Sequence, residues 1–293
     1  MNTVLFMTRN FVSKVLLSGR FLVALAVLFL SNYMTFQIAV EQMKEFDYTI
    51  GPLELVPFYM SSHQSVLMYY LFTIFLVSAY PRWEGSQGEI LRLGKRRWLG
   101  EQFFYTGLTI TIQYIVLTLS FIAALFPQIQ WNNIWSDLVQ GACDKFEVMM
   151  GLGLNVALEY EYGVTQMGSP LALWFYCFLL HLGCGMVLGM LEIILNIKAR
   201  RGTGTAAIAG ITLLRAGMSM YSEGSFTFWQ KAWDFLRHFH PLIQSDLNIM
   251  AAGSGTPYML RYAAGITYFV VISAIVCVWG MKMVQNVDLT AGN

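Results

Sequence analysis

The sequence predicts an all-α membrane protein with six transmembrane helices in a single domain that covers residues 1–293. The chain is 56% hydrophobic and only 12% charged, whereas soluble domains carry about 25% charged residues. It also holds several apolar runs of roughly 20 residues, which is the length a helix needs to cross about 30 Å of hydrocarbon. The spans are expected to be helices because a bilayer offers backbone polar groups no partner outside their own segment.

The apolar runs set the predicted order of elements. We place the spans at residues 21–40, 65–81, 104–126, 170–196, 203–221 and 263–284. The run 146–158 is too short to span, and we expect it to form an interfacial or re-entrant helix.

Residues 1–20 predict an amphipathic helix on the inner membrane surface that leads into the first span. Arg9 and Lys14 fall on one side of such a helix, and Phe11 and Val15 fall on the other. The next apolar run is not followed by a small-residue cleavage site, which argues against a removed signal peptide.

An aromatic-rich segment, residues 222–262, is predicted to form one or two short helices at the outer surface. Trp229, Trp233 and Phe239 suit a membrane interface. We expect the helical structure to be broken at Pro241.

The distribution of Lys and Arg predicts the orientation. With the N-terminus inside, twelve of the 18 basic residues fall in inner segments and five in outer segments, and twelve of the 17 carboxylates fall in outer segments. Inner segments of membrane proteins are enriched in Lys and Arg. Both termini are therefore predicted to be cytoplasmic, as is the loop between the second and third spans.

That loop contains the densest charge in the chain and has no Pro after Pro81. Its simplest interpretation is a solvated segment that fixes topology by its positive charge. It is longer than the 2–8 residues that usually join neighbouring helices. A short helix parallel to the membrane, with its charges and Trp98 as a docking surface, is the alternative. The candidate docking residues are Glu84, Gly85, Glu89, Arg92, Lys95, Arg96, Arg97 and Trp98.

The order of elements resembles the permease subunit of ABC transporters of the ABC-2 type. The resemblance rests on the inner-surface helix, the six spans, the outer helices before the last span, and the residues Glu84, Gly85, Ser86, Glu89, Ile90, Leu91 and then Arg96 or Arg97. It implies that residues 82–102 form a cytoplasmic coupling helix to which a separate ATPase subunit docks. It also implies a bacterial plasma-membrane exporter that pairs with a second permease, either itself or a homologue.

The chain carries no ATPase motif of its own. Its only Gly-Lys pair, Gly94-Lys95, is followed by Arg96 and lacks the Gly five residues earlier that a phosphate-binding loop needs. ATP and Mg²⁺ are therefore expected on the partner, and this chain is not expected to be an enzyme or to hold a catalytic, cofactor or metal site. Apart from Asp234, His238 and His240 have no carboxylate or Cys nearby at the spacing of metal ligands. The expected partners are ATPase subunits, a second permease and the lipid bilayer, and not nucleic acid.

Three polar residues within predicted spans are candidates for function. Arg215 lies 14 residues beyond Arg201, or about 21 Å along the fifth span. It is either functional or extended to the outer interface. Glu192 is expected at the inner interface, too far from Arg215 for a direct pair. His181 lies closer to the depth of Arg215, so a polar contact between them is one interpretation and a buried neutral histidine is the other.

Two further questions stay open in the sequence. Gly185 and Gly189 have the spacing that lets helices approach closely, either within the chain or between subunits. The alternative functions are an ATP-independent transporter or channel, with Arg215 and His181 in a polar pathway, and a membrane scaffold or sensor that recruits a cytoplasmic partner. The transported substrate is not encoded in any recognisable motif.

Overall fold

The fold was analysed in a computed structural model. It describes residues 3–45, 49–60, 63–78, 87–137, 139–140, 165–199, 202–220, 240–245 and 258–286. These residues form helices and connecting turns, and no named strand occurs among them. The helices are α1 (Thr3–Phe11), α2 (Gly19–Glu45), α3 (Leu55–Tyr59), α4 (His63–Val77), α5 (Gln87–Leu93), α6 (Lys95–Leu125), α7 (Pro170–Lys198), α8 (Thr203–Met220), α9 (Pro241–Gln244) and α10 (Tyr258–Gln285).

The helix lengths and apolar composition confirm the class of all-α membrane protein. Within the described ranges, three helices are long and apolar enough to cross a membrane, namely α6, α7 and residues 260–285 of α10. A fourth would be the N-terminal pair, 5–16 with 19–34, if this bent pair is one span. Residues 65–77 and 203–214 are apolar helices of shorter length.

Contacts between the helices fix their directions. Antiparallel packing joins α6 to α7, because Thr106 lies against Gly189 while Tyr114 Oη donates to the Trp174 carbonyl at 2.9 Å. Helix α10 runs parallel to α7, since Phe269 lies against Gly183 and, further along both helices, Gly280 lies against Ile194. We call the end of the bundle that holds α5 and the start of α6 the basic end, and the opposite end, with residues 49–60 and 126–137, the far end.

Two glycines of α7 bring it close to α6. A Cβ on Gly185 would lie 2.8 Å from Cδ1 of Ile110, and one on Gly189 would lie 2.5 Å from Cγ2 of Thr106. Side-chain atoms do not approach a Cβ this closely, so each helix fits against the other only because the glycines have none. The glycine spacing therefore serves helix packing within this chain.

The N-terminal segment forms a helix of its own before the first long helix, as predicted. Helix α1 continues into a π-helical turn over Val12–Leu16, and the whole segment meets α2 at an angle of 75°. Phe11 and Val15 are buried, while Lys14 between them is exposed. The ring of Phe11 packs 5.5 Å from that of Tyr105, centre to centre, and so attaches this segment to α6.

At the far end, two loops are joined by backbone and side-chain hydrogen bonds. Ile50 N donates to the Gln128 carbonyl at 3.3 Å, and Gln130 N donates back to the Ile50 carbonyl at 3.0 Å. The fully buried carboxylate of Glu54 accepts from Gly51 N at 3.1 Å, Ser136 N at 3.0 Å and Ser136 Oγ at 2.7 Å. Burial raises the pKa of the Glu54 carboxyl above its ordinary value of 4.5, against the opposing effect of these donors.

The short helix α9 corrects one prediction about the segment 222–262. Pro241 starts this helix after the extended residue His240, so the expected break in helical structure falls at this proline, whose missing N–H costs nothing in the first turn. Leu242, Ile243 and Ser245 are buried, so residues 240–245 pack into the bundle instead of lying on its surface. Nε2 of His240 lies 3.0 Å from the carbonyl oxygen of Ile211, in the middle of α8. The predicted aromatic anchors at 229, 233 and 239 and the predicted short helix at 146–158 lie outside the described residues.

Candidate functional site

The charged segment at the basic end forms two helices instead of the single helix predicted over 82–102. Helix α5 ends at Leu93, Gly94 adopts φ +80°, and α6 begins at Lys95. A left-handed φ of this kind strains any residue with a Cβ, so Gly94 is the residue type that allows the corner. Lys95, Arg96, Arg97 and Trp98 therefore belong to the first turn of the helix that was predicted to start at 104. Glu84 and Gly85 lie outside the described residues.

The corner exposes one large apolar side chain and three arginines. Leu91 is 75% exposed, and Arg92, Arg96 and Arg97 are exposed as well. We call these four residues the basic corner. An exposed leucine among arginines is the composition expected of a docking surface for an acidic partner with an apolar recess.

Trp98 is not part of that surface, which corrects its predicted role. It is 1% exposed and belongs to an apolar cluster formed by α5, α6, α7 and α10. Helix periodicity explains the difference, because Trp98, Leu99 and Gln102 share the buried side of α6 while Arg96 and Arg97 fall on the opposite side. The cluster comprises Ile90, Trp98, Leu99, Phe103, Met190, Ile194, Val276 and Val284.

Polar contacts attach the corner to both ends of the chain. The Lys14 ammonium forms an ion pair with the Glu89 carboxylate and so connects the N-terminal segment to α5. Lys95 Nζ donates to the carbonyl of Gln285, the last residue of α10, at 3.3 Å. The two helices that carry the basic corner, α5 and α6, are thus connected to the N-terminal segment and to α10.

Sequence reasoning missed a buried carboxylate beside the corner. Glu101 is 3% exposed and accepts hydrogen bonds from Tyr105 Oη and, at 3.2 Å, from Asn10 Nδ2. The only signal in the sequence was the spacing of Glu101 and Tyr105, because residues four apart lie next to each other on one face of a helix. The contact with Asn10 depends on how the N-terminal helix folds back onto α6.

His181 lies in a second polar site, inside the bundle. Its Nδ1 is 2.5 Å from Oη of Tyr70 on α4, and that hydroxyl lies 3.4 Å from Oγ of Ser245. All three residues have an exposure of 0%. We call Tyr70, His181 and Ser245 the polar centre. It joins α4 and α7 to the segment 240–245. Along the chain, Tyr70 is 111 residues from His181 and 175 residues from Ser245.

Glu192 is buried against the next helix of the chain, a contact that the sequence did not predict. It is 1% exposed, and its Oε1 accepts from Thr205 Oγ1 at 2.8 Å. Asn196 supports the same turn, because its Oδ1 accepts from the backbone N–H of Gly204 at 2.8 Å. Glu192 therefore ties α7 to the first turn of α8. Arg215 lies on α8, and its side chain is outside the described residues, so its predicted contact with His181 stays a prediction.

Neither a metal ligand set nor a relative identifies the chain. The described residues contain no group of three or more His, Cys, Asp or Glu side chains placed to hold a metal ion. No family model, curated protein or solved structure matches the chain significantly. The candidate functional sites are therefore the basic corner and the polar centre, argued from their geometry alone.

Proposed function

We propose that the chain is the transmembrane permease subunit of an ABC-2-type transporter, and that a separate ATPase subunit docks on the basic corner. The observation that supports this most directly is the exposed group of Leu91, Arg92, Arg96 and Arg97 directly above a cluster that reaches α7 and α10. A docking site needs accessible side chains, and a coupling site also needs a stiff connection to the membrane helices. The corner combines both properties.

The chemistry of the corner suits a protein partner with an acidic recess. Arginine guanidinium groups make bidentate contacts with carboxylates, and exposed arginines steer an oppositely charged partner into position. Leu91, with 75% of its surface exposed, would supply apolar burial at the centre of such a contact. Each exposed ion pair contributes little individually, often below about 1 kcal/mol.

Motion of a docked ATPase would pass into the bundle through close-packed side chains. Ile90 on α5 and Trp98 on α6 are each 1% exposed and belong to one cluster with Ile194 of α7 and Val276 of α10. Protein interiors are packed at crystal-like density, so a displacement of α5 is transmitted and not absorbed. The Lys14–Glu89 pair adds the N-terminal helix to the same moving unit.

The remaining parts of the proposal follow from the order and direction of the helices. Helices α2, α4, α6, α7, α8 and α10 would be the six spans, with the shorter α4 and α8 completing the crossing through flanking residues. The basic end would face the cytoplasm of a bacterial cell, because positive charge collects on that side. The N-terminal helix would lie on the membrane surface, and the permease would act as a homodimer or heterodimer that exports its substrate.

Co-purification with charge-reversed variants tests the docking proposal. We expect an ATPase to co-purify with the full chain, and Leu91→Asp combined with Arg96→Glu to lower its association about tenfold or more, as for the loss of a central contact. Arg9→Glu is the matched control, since Arg9 is exposed on the N-terminal helix but is not part of the corner. Failure of any ATPase to associate with the unmutated chain would overturn the proposal.

Transport assays separate the alternative functions from this one. An ATP-independent transporter or channel would move substrate in vesicles without an ATPase, and that activity would depend on His181 or Arg215. A scaffold or sensor would bind its partner at the corner, yet the partner would hydrolyse no ATP. Impermeant labelling of single cysteines at positions 96 and 134, from opposite ends of the bundle, checks the orientation, with position 96 expected to react only from the cytoplasmic side.

A further inference from the structure

A groove lies between α2 and α4 on the outside of the bundle. Its volume is about 620 Å³. It forms because α2 packs mainly along α6, whereas α4 packs mainly against α7 and α8, so the two helices touch each other little. The described residues that line it are Gly19, Arg20, Val23, Ala24, Val27, Met68, Leu71, Phe72 and Phe75.

The walls of the groove are apolar and open to the side. Val23 on α2 is 63% exposed and Phe75 on α4 is 54% exposed. In a membrane protein these side chains face hydrocarbon, so the groove opens toward lipid and not toward water. An apolar chain entering from the side would meet no buried polar group along these walls.

Arg20 is the one charged residue among the described residues that line the groove. It lies in the first turn of α2, next to the 75° bend where the N-terminal segment turns away. If that segment lies on the membrane surface, Arg20 stands at the level of the lipid headgroups. The nearby Lys14 is already paired with Glu89, whereas the exposed Arg20 takes part in no ion pair within the described ranges.

We propose that this groove binds one anionic phospholipid, with the phosphate on Arg20 and an acyl chain between α2 and α4. A guanidinium group offers paired donors that match phosphate geometry, and anionic lipids are attracted to basic residues at the membrane surface. The upper part of an acyl chain would run along α2 from Arg20 to Val27, a rise of about 10 Å. The site is independent of ATPase docking and stands or falls separately from the proposed function.

The size of the groove favours a lipid chain over a helix from a second copy of the protein. A helix with its side chains is about 10–12 Å across, whereas an acyl chain is a single file of methylene groups. Packing of helices requires matching ridges over several turns. A flexible chain of methylene groups needs only a continuous apolar wall that ends at a basic residue.

Native mass spectrometry of the full-length purified chain tests the site. The probes are phosphatidylglycerol and phosphatidylcholine with identical acyl chains, with inorganic phosphate as a separate competitor. We expect the wild type to retain phosphatidylglycerol preferentially, Arg20→Ala to lower that retention about fivefold, and Arg20→Lys to fall between them. Val27→Trp should abolish retention of both lipids by filling the groove, and it tests the site even if Arg20→Ala fails to fold.

Two matched controls separate a specific site from general surface effects. Arg9→Ala removes another exposed arginine at the same end, and Val271→Trp adds the same bulk to an exposed position on α10. Both should retain phosphatidylglycerol like the wild type. The proposal is overturned if the wild type retains both lipids equally, or if Arg20→Ala behaves like Arg9→Ala. It is also overturned if phosphate alone displaces the lipid, or if Val27→Trp changes only the proportion of dimer.

Discussion

Tyr70 and His181, 111 positions apart in sequence, meet inside the bundle with the phenol oxygen 2.5 Å from Nδ1 of the imidazole. The same phenol lies 3.4 Å from Oγ of Ser245, in the segment that packs between the helices. The Tyr70 hydroxyl of α4 thus contacts side chains of both α7 and the segment 240–245. A buried polar group without a partner is destabilising, so these three side chains depend on one another.

Replacing Tyr70 by Phe should therefore lower stability while leaving volume nearly unchanged. We expect a loss of about 1–3 kcal/mol, because the buried Nδ1 of His181 loses its hydrogen bond. Thermal unfolding in detergent measures the effect. Tyr33→Phe is the matched control, since the Tyr33 hydroxyl accepts from Gln37 at 2.6 Å within a single helix and in a part-buried position, where we expect a smaller loss. Equal effects of the two variants would contradict a special role for the polar centre.

Variants at Trp98 and Leu91 should distinguish a role in packing from a role in docking. Trp98→Ala removes a side chain that is 1% exposed and should cost about 3–5 kcal/mol of stability, whereas Trp98→Phe should cost less. Leu91→Ala, at a residue that is 75% exposed, should leave stability within about 0.5 kcal/mol and weaken only the association with the ATPase. Thermal unfolding and co-purification are measured on the same samples. A stable Trp98→Ala protein would show that the cluster does not hold the corner in place.

The buried carboxyl of Glu54, at the far end, should make the stability of the folded protein depend on pH. Burial raises the pKa of the Glu54 carboxyl above 4.5, so the folded protein binds this proton more tightly than the unfolded chain does. The resulting stabilisation is fully present below about pH 4.5 and is lost as the pH rises through the raised folded pKa. Glu54→Gln does not titrate. We therefore expect the stability of this variant relative to wild type to increase with pH across that window and then level off, as measured by thermal unfolding.

Two further variants complete the test at Glu54. Below about pH 4.5, Glu54→Ala should cost about 1–3 kcal/mol, because the amides of Gly51 and Ser136 lose their acceptor. The cost should fall as the pH rises, because this variant does not titrate either. Asp137→Asn changes an exposed carboxylate in the same loop and serves as the control for the general effect of removing a negative charge there. A profile for Glu54→Gln that parallels the wild type would contradict the assigned titration.

Gly189 should tolerate no side chain, whereas Gly210 should accept one. A Cβ on Gly189 would lie 2.5 Å from Cγ2 of Thr106, while no atom lies within 4 Å of the corresponding position on Gly210. We expect Gly189→Ala to cost about 1–3 kcal/mol through overpacking and Gly210→Ala to cost nothing. Adding Thr106→Ser removes the clashing methyl and keeps the hydroxyl that donates to the Gln102 carbonyl. It should restore much of the loss, and an absence of rescue would mean that the strain lies elsewhere.

The sequence by itself determined the class of protein and the rough position of each long helix. A helix that crosses a bilayer must be apolar over roughly 20 residues, whichever helices it packs against. This requirement is visible in the composition of the sequence without knowledge of the tertiary contacts. The predicted spans therefore coincide with long stretches of α2, α4, α6, α7, α8 and α10. The amphipathic pattern before Gly19 likewise indicated a separate N-terminal helix.

Tertiary structure decided which side of each helix is buried and which distant residues meet. Trp98 was predicted on the surface from its charged neighbours, but the first turn of α6 lies against α7 and α10 and buries it. The depth of Glu192 was predicted from its distance to the end of α7, but only the packing of α8 shows that Thr205 donates a hydrogen bond to its carboxylate. The pairs Asn10–Glu101, Lys14–Glu89 and Tyr70–His181 join positions at least 75 residues apart. The periodicity of one helix carries no information about such pairs, because they depend on how whole helices pack against each other. That packing depends on the complementary shapes of the helix surfaces. Thr106, for example, fits against α7 only because Gly189 has no side chain.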